Sequence, residues 1–423
     1  MLIQPELFNE TVIKIIFSYK NADLLPFERH YPMQRLGRIA FAKILEGKLA
    51  DESSARSPLH RTINSCIDLL ETLSLDSQDD IDRRRAYTSI LCARTVNVLS
   101  MREAIQCLSA LDKTPVENPS SGALVLAAAI GDDSIFQTLL AQGTSVEDES
   151  SFFGSALHAA AEYGHMNVLE KALNASVPPY DAFNGGIRGG DKEIVKKLLV
   201  KYEYDSILHG HEAKGGVMLV WAAAEDQTEI LNMLMDHIPA SHEVQTLKSA
   251  LYHAVLFSAK STTRQLLIAG VDISNYEEPL GNGLYVASKR GDLETVQLLV
   301  EHGFTNGHGP NSYDECMHVA AAKGYINIVE FFLHHGVDIN CRFPCPTAPS
   351  GMDEDFWNRI DGSDPATTNA ARNGDFRIFC FLVLRGCRVD LENKFASVQK
   401  QWLEQLQAWE ESRLVKQLTI EPS

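Results

Sequence analysis

Three groups of side chains in this 423-residue sequence have the types and spacing that chemistry would ask for. His158, Glu162 and His165 place two imidazoles and a carboxylate at helical spacing, as on a zinc-binding helix, but Gly164 breaks that helix before the third ligand is reached. His334, His335, Cys341 and Cys345 offer two nitrogens and two thiolates, a set suited to tetrahedral zinc. Their spacing is irregular, and Pro344 stands between the two cysteines. Gly281-Asn282-Gly283 and Gly307-His308-Gly309 are glycine-rich but lack the strand-to-helix setting in which backbone amides cradle a phosphate. There is no G-x-S-x-G nucleophile turn and no Walker-type loop. Lys192, Lys196, Lys197 and Lys201 stripe one helix, and the glutamates beside them mark a solvated face. The expectation is therefore no catalytic residue, no metal site and no cofactor.

The elements that would position these groups follow a beat. Gly131 is answered twelve residues later by Gly143, Gly291 by Gly303, Gly324 by Gly336 and Gly374 by Gly386. Between each pair lie apolar residues near offsets four, five, eight and nine, such as Ile328, Val329, Phe332 and Leu333 after Gly324. A short helix with one buried stripe, closed by a glycine, produces that spacing. Marking each unit at its first glycine gives 131, 164, 190, 226, 258, 291, 324 and 374, with Asp226 and Ser258 as degenerate marks. Successive intervals are 33, 26, 36, 32, 33, 33 and 50 residues. A period near 33 residues is the signature of a repeat array.

Ser155-Ala156-Leu157-His158-Ala159-Ala160-Ala161-Glu162-Tyr163-Gly164-His165 resembles the ankyrin signature closely. Leu126 to Gly131, Cys316 to Gly324, Gly270-Val271-Asp272-Ile273 and Gly336-Val337-Asp338-Ile339-Asn340 match its other parts. The chain is identified by these residues as resembling the ankyrin-repeat family over about 118–392. The resemblance implies an all-α fold, an ankyrin-repeat solenoid of about eight helix-turn-helix repeats with helical capping regions. It also makes His158 and His165 scaffold residues, because both stand at positions of the repeat signature.

Residues 1–117 lack the clear pattern. Helical signals run over Glu6–Tyr19, Leu36–Leu49, Leu59–Leu73 and Ala86–Leu108, with the polar segment Asp76–Arg85 as a loop. Ser57-Pro58-Leu59-His60 resembles a repeat start, but no Ala-Ala or glycine follows at the proper distance, so an eroded repeat and a non-repeat helical cap both fit. Pro5-Glu6-Leu7, an apolar helix and Asp23-Leu24 faintly resemble an F-box, with a spacing that departs by several residues. At the other end, 393–423 carries Phe395, Val398, Trp402, Leu406 and Trp409 on one helical face, the stripe of an amphipathic capping helix.

The 50-residue interval is about 17 residues longer than the period and falls in an inserted loop, 341–364. It carries Asp353, Phe356 and Trp357, an acidic cluster beside aromatic groups that the repeat does not require. Phe152, Phe153, Tyr180, Tyr276 and Tyr313 precede inner helices, where exposed tips would present them as anchors for a partner protein.

A formal net charge of −18 disfavours direct binding of nucleic acid. No apolar run approaches the roughly 18 residues of a membrane span, and the N-terminus does not resemble a signal peptide. Eight cysteines without a close C-x-x-C pair fit reduced thiols in the cytoplasm or nucleus. The expected molecule is a non-enzymatic, monomeric, intracellular scaffold or adaptor that holds another protein. The loose, insertion-bearing repeats resemble those of filamentous fungi, some of which are regarded as regulators of gene expression. That resemblance implies a transcriptional co-regulator acting through a DNA-binding partner. The alternatives are an F-box-like ubiquitin-ligase adaptor and an enzyme of secondary metabolism with a site no motif reveals.

Overall fold

Eight times along the chain, residues at offsets four, five and eight after the mark turn inward together. Ile135, Phe136 and Leu139 follow Gly131; Val168, Leu169 and Ala172 follow Gly164; Ile378, Phe379 and Leu382 follow Gly374, all buried. The degenerate marks obey the same rule, with Ile230, Leu231 and Leu234 after Asp226 and Thr262, Thr263 and Leu266 after Ser258. This is one stripe of a 3.6-residue period, and it fixes the face on which each outer helix packs.

The computed structural model describes residues 35–50, 57–74, 81–99, 118–173, 179–202, 214–236, 243–271, 283–304, 313–341 and 365–418, with Glu103, Ala104 and Cys107 besides. The described residues are all-α, with one isolated antiparallel bridge, Ser150 to Gly154. Three helices come first: α1 (Arg35–Leu49), α2 (Pro58–Leu73) and α3 (Ile81–Val98). Inner and outer helices then alternate as α4 (Pro119–Ile130) with α5 (Asp133–Ala141), α6 (Ala156–Glu162) with α7 (Met166–Ala172), and α8 (Tyr180–Gly189) with α9 (Lys192–Lys201). They continue as α10 (Lys214–Ala224) with α11 (Thr228–Met235), α12 (Glu243–Leu256) with α13 (Lys260–Ile268), and α14 (Gly283–Arg290) with α15 (Leu293–Glu301). The last pairs are α16 (Tyr313–Ala322) with α17 (Ile326–His334) and α18 (Ala366–Asn373) with α19 (Phe376–Leu384), followed by α20 (Ala396–Leu418). The chain divides into two compact units, Met1–Ala250 and Leu251–Ser423, at a point inside α12.

In the first unit, inner helices α4, α6, α8 and α10 stack on one another, each backed by its outer helix. Helix α4 is apolar all round and buried from Ser121 to Ala129, which only a helix covered on every side tolerates. Helix α2 supplies one cover: a β-carbon on Gly122 would lie 2.4 Å from Cys66 Sγ. Its start is the Ser57-Pro58 cap, with the Ser57 hydroxyl accepting from the His60 amide at 3.2 Å. At sixteen residues α2 is longer than any described inner helix of the unit, and no glycine closes it. Helix α3 begins at Ile81, inside the segment expected as a loop, because Arg84 is drawn back to α2 by Asp68 and Glu71 at 2.7 and 2.6 Å.

In the second unit, inner helices α14, α16 and α18 stack in the same manner. Helix α20 closes the last pair: the Trp402 ring lies 5.5 Å from that of Phe376 and 5.2 Å from that of Phe379. Buried Gln399 donates to Thr368 Oγ1 at 3.3 Å, and Leu406 is buried, whereas Trp409 one turn on is exposed.

The marks are left-handed. Gly131 has φ +73°, and a β-carbon there would lie 2.3 Å from the His165 ring, which packs on it from the next repeat. Asp226 and Ser258 adopt φ 59° and 53° although neither is glycine, the two such residues among those described.

Candidate functional site

The residues one and two places before each mark fall in the last turn of the inner helices, and successive repeats stack them into a row. In the first unit the row reads Ala129-Ile130, Glu162-Tyr163, Arg188-Gly189 and Ala224-Glu225. Its charged members meet. Arg188 Nε lies 3.4 Å from Glu225 Oε1, close enough to pair but not aligned as a hydrogen bond. Two arginines from the N-terminal helices reach the same row. Arg38 of α1 donates to Glu225 Oε2 at 2.6 Å across 187 residues of sequence. Arg94 of α3, 1% exposed, donates to Glu162 Oε2 at 2.5 Å and twice to the Phe153 carbonyl, at 3.0 and 2.8 Å. Asn97, one turn along α3, donates to Glu162 Oε1 at 2.9 Å.

His158 stands inside this cluster. Burial, then the neighbouring Arg94 and Arg188 cations, hold its imidazole well below the ordinary histidine value. It is therefore neutral, with Nδ1 accepting from Arg94 Nη1 at 2.8 Å, and its 3.5 Å approach to Glu162 is not an ion pair. Burial and the nearby Arg38 also lower Arg188, against the opposing pull of Glu225 and Glu162. The cluster is a set of arginines saturating two row carboxylates. It binds the N-terminal helices to the repeats and presents no nucleophile or general base.

The second unit uses the same register differently. Its row reads Leu256-Phe257, Lys289-Arg290, Ala322-Lys323 and Arg372-Asn373: four cations and no carboxylate. Arg290 and Lys323 are exposed, Lys289 and Arg372 half-buried. Arg290 donates to the Leu256 carbonyl of the preceding repeat. Arg372 donates to Asn369 at 3.0 Å and its guanidinium stands 5.6 Å from the Phe395 ring.

The aromatic residues expected on tips divide. Phe153 is fully buried, and Tyr313 is 7% exposed with its hydroxyl donating to the Phe304 carbonyl at 2.5 Å. These two rings are core residues rather than exposed anchors: Phe153 lies against Gly122 of the preceding repeat, and Tyr313 lies 5.4 Å from Phe332 of its own repeat. Phe152 and Tyr180 are half-buried, and the Tyr180 ring lies 4.9 Å from that of Trp221. Tyr276, Asp353, Phe356 and Trp357 lie outside the described residues, as do Cys345 and the F-box-like segment before Arg35.

Described members of the metal-like sets have other partners. His165 reaches the Ala129 carbonyl at 2.9 Å while His158 faces Arg94. His335 bonds the Phe331 carbonyl at 2.8 Å, and the Cys341 carbonyl takes the His318 ring nitrogen at 3.0 Å. Among the described residues no three metal-ligating side chains gather. The lysine stripe of α9 is partly paired, Lys192 with Glu229 at 2.7 Å and Lys197 with Glu170 at 3.8 Å. An open depression of about 660 Å³ beside it is lined by Asp191, Lys192, Gln227 and Glu229. No described helix is long and apolar enough to cross a membrane.

Sequence reasoning missed the row cluster. The available signal was the pair Glu162 and Arg188, opposite charges at the same register of successive repeats.

A family model of ankyrin repeats, in three copies, matches residues 251–342. The ankyrin repeat and KH domain-containing protein mask-1 of Caenorhabditis elegans is 26% identical over 225 residues, 51% of this chain and 8% of that protein. The NF-kappa-B inhibitor alpha of Sus scrofa is 27% identical over 151 residues, 33% of this chain and 45% of that protein. The human ankyrin repeat and SOCS box protein 6 is 31% identical over 68 residues, 16% of each chain. The chain thus spans less than half the length of these relatives. The solved human ASB11 ankyrin repeat domain aligns with 63% of this chain and 99% of its own, at 22% identity and a TM-score of 0.35.

Proposed function

Because the chain is an ankyrin-repeat protein, we propose that it works as a non-enzymatic scaffold or adaptor that holds another protein against its repeats. The observation that carries this reading is the row. Its positions vary freely in charge from repeat to repeat, while the buried offsets and the left-handed marks around it stay fixed. Repeat arrays use such stacked surfaces for recognition, and the fold itself does not name the partner. Ankyrin repeats are interaction modules, and the relatives' names are those of two ankyrin-repeat proteins and an inhibitor.

At finer grain, the reading is a transcriptional co-regulator that works in the cytoplasm or nucleus as a monomer and reaches DNA only through its partner. A formal charge of −18 supports the indirect route, since a chain of that sign repels a phosphate backbone. One relative is named as an inhibitor of NF-kappa-B, which supports a regulatory role. The inserted loop is assigned a share of the contact through Phe356 and Trp357.

The test is a partner list by proximity labelling in the source cells, repeated with Phe356→Ala/Trp357→Ala. A specific set of proteins above a tag-only control, enriched in DNA-binding factors and depleted by the double substitution, is the expected result. A list indistinguishable from the control sinks the adaptor reading. A list of ubiquitin-ligase core subunits, lost on deleting residues 1–30, replaces the co-regulator with the F-box alternative.

A further inference from the structure

We propose that α1 and α3 form a hinged cover over the row of the first unit, an autoinhibitory contact released when Glu225 passes from Arg38 to Arg188. The proposal rests on the interaction-module reading above, because the face it closes is the one assigned there to a partner. Helix α1 packs on α3. The Ser89 hydroxyl of α3 donates to Glu46 of α1 at 2.7 Å, and Glu46 joins burial in pushing the Cys92 thiol up. The two helices therefore move together. Their hold on the row is polar: Arg38 on Glu225, and Arg94 with Asn97 on Glu162. Helix α2 lies between them in sequence but belongs to the stack, packed on α4 with Cys66 against Gly122. The pivot is at the other end of α3. Arg84, in its first turn, pairs with Asp68 and Glu71 of α2, and the step from Arg84 to Arg94 spans about 15 Å of helix.

Three guanidinium groups, Arg38, Arg94 and Arg188, share the carboxylates of Glu162 and Glu225, with His158 neutral among them. Arg188 is the one left short. Its side chain is 11% exposed, and its Nε is buried 3.4 Å from Glu225 Oε1 without a hydrogen bond, while Arg38 holds Oε2 at 2.6 Å. Burial and then Arg38 push Arg188 down, against the pull of Glu225 and Glu162. A buried donor without an acceptor destabilises the arrangement that strands it. Withdrawal of α1 and α3 removes the other two cations, and Glu225 then takes Arg188 of the neighbouring α8 as a two-point pair, the strong form of this contact. Opening a buried ion pair is normally opposed by the charge it strands; here a second cation already stands beside Glu225. Glu225 thus has one partner in each of two states, Arg38 with the cover shut and Arg188 with it open. Arg94, bonded to Glu162 and to the Phe153 carbonyl, keeps the shut state the populated one.

Native-state hydrogen exchange on the full chain reads the opening, with 35–49 and 81–98 reporting the cover and 119–141 the stack beneath it. Rates are taken relative to 119–141, so that a variant of lower overall stability is not mistaken for one that opens. Arg38→Gln is expected to speed exchange about tenfold or more in both α1 and α3. Arg188→Gln is expected to slow both about threefold or more, since it removes the partner that Glu225 takes on opening. That sign is decisive: an arginine that only braced the row would loosen the cover when removed. On a Glu225→Gln background, Arg188→Gln should change neither helix further. The proposal is overturned if Arg188→Gln speeds exchange in α1 or α3, or if Arg38→Gln affects α1 alone. Proximity labelling separates the cover from the scaffold reading. More labelled partner with Arg38→Gln than with wild type, and less with Arg188→Gln, is expected; equal labelling by all three overturns the autoinhibitory role while the scaffold reading stands. If wild type labels nothing above a tag-only control, the scaffold reading fails, and the exchange signs alone decide the cover.

Discussion

Replacing Arg94 by methionine should loosen the N-terminal helices from the repeats without unfolding the repeats themselves. Methionine keeps most of the length and the apolar stem but removes every donor. Three acceptors then lose their partner: Glu162 Oε2 at 2.5 Å, the Phe153 carbonyl at 3.0 and 2.8 Å, and His158 Nδ1 at 2.8 Å. Breaking a buried pair from one side costs about 3–5 kcal/mol, mostly as an uncompensated buried charge. Glu162 is 15% exposed and keeps Asn97 at 2.9 Å, so part of its carboxylate can rehydrate. That places the expected loss near the lower end, about 3 kcal/mol. The orphaned Phe153 carbonyl contributes about 1–3 kcal/mol of any such loss. Adding Glu162→Met removes the stranded charge, so the double variant should lose less than the two single losses together. The coupling should exceed about 1 kcal/mol for residues in direct contact.

A repeat protein of two units need not melt as one, so a single midpoint is the wrong readout. Native-state hydrogen exchange resolves the loss by segment. Protection should fall in 81–98 and 35–49, the helices held by Arg94 and Arg38, and persist in 119–141. An Arg94→Met loss below about 1 kcal/mol, or additive single losses, would refute the claim that this ion cluster holds the N-terminal helices on the row.

Other consequences follow from the same geometry. Ser258→Gly should raise stability by about 0.5–1 kcal/mol, because a serine at φ 53° bears a left-handed strain that glycine lacks, less the entropy glycine loses on folding; a lowered melting temperature would contradict it. Gly131→Ala should cost about 2 kcal/mol or more, since its β-carbon would lie 2.3 Å from the His165 ring at φ +73°, and His165→Ala should return the steric part; equal losses with and without His165 would refute the contact. Stability should also depend on His158. Its pKa is depressed by burial and by Arg94 and Arg188, so below about 6.5 the unfolded chain takes up the proton first. The contribution is complete above that value and is lost as pH falls through the folded-state pKa. Urea midpoints measured from pH 7.5 to 5 should decline for the wild type and less for His158→Gln; parallel curves would exclude it.

How much of this was legible before the structure depends on how far each cause lies along the chain. The left-handed marks are local: a helix must stop, and the residue that stops it needs positive φ. The register therefore located Asp226 and Ser258 even where glycine is absent. The buried offsets are equally local, set by 3.6-residue periodicity. Phe153 and Tyr313 were misread as tips because an aromatic before a helix start carries no local mark of which way it turns. Helix α3 was harder still. It has little amphipathic contrast and four arginines, the pattern of a solvated helix, and Arg94 acquires its meaning only from Glu162, 68 residues away. The start of α3 was misplaced for the same reason, since Asp68 and Glu71 extend it back to Ile81.

The two rows together show charge changing at a fixed register, over a scaffold that does not change with it. Glu162 and Lys289 stand at the same place, two residues before a left-handed mark, on inner helices whose outer partners carry the same buried stripe. What distinguishes them is the sign they present. A carboxylate at that place draws in a buried arginine and with it a whole helix, and its cost of desolvation is met by five guanidinium donors. An arginine there can instead close the row on itself, as buried Arg188 does against Glu225 at 3.4 Å. A chain built this way can change the charge at that register one residue per repeat while the buried offsets behind it stay the same.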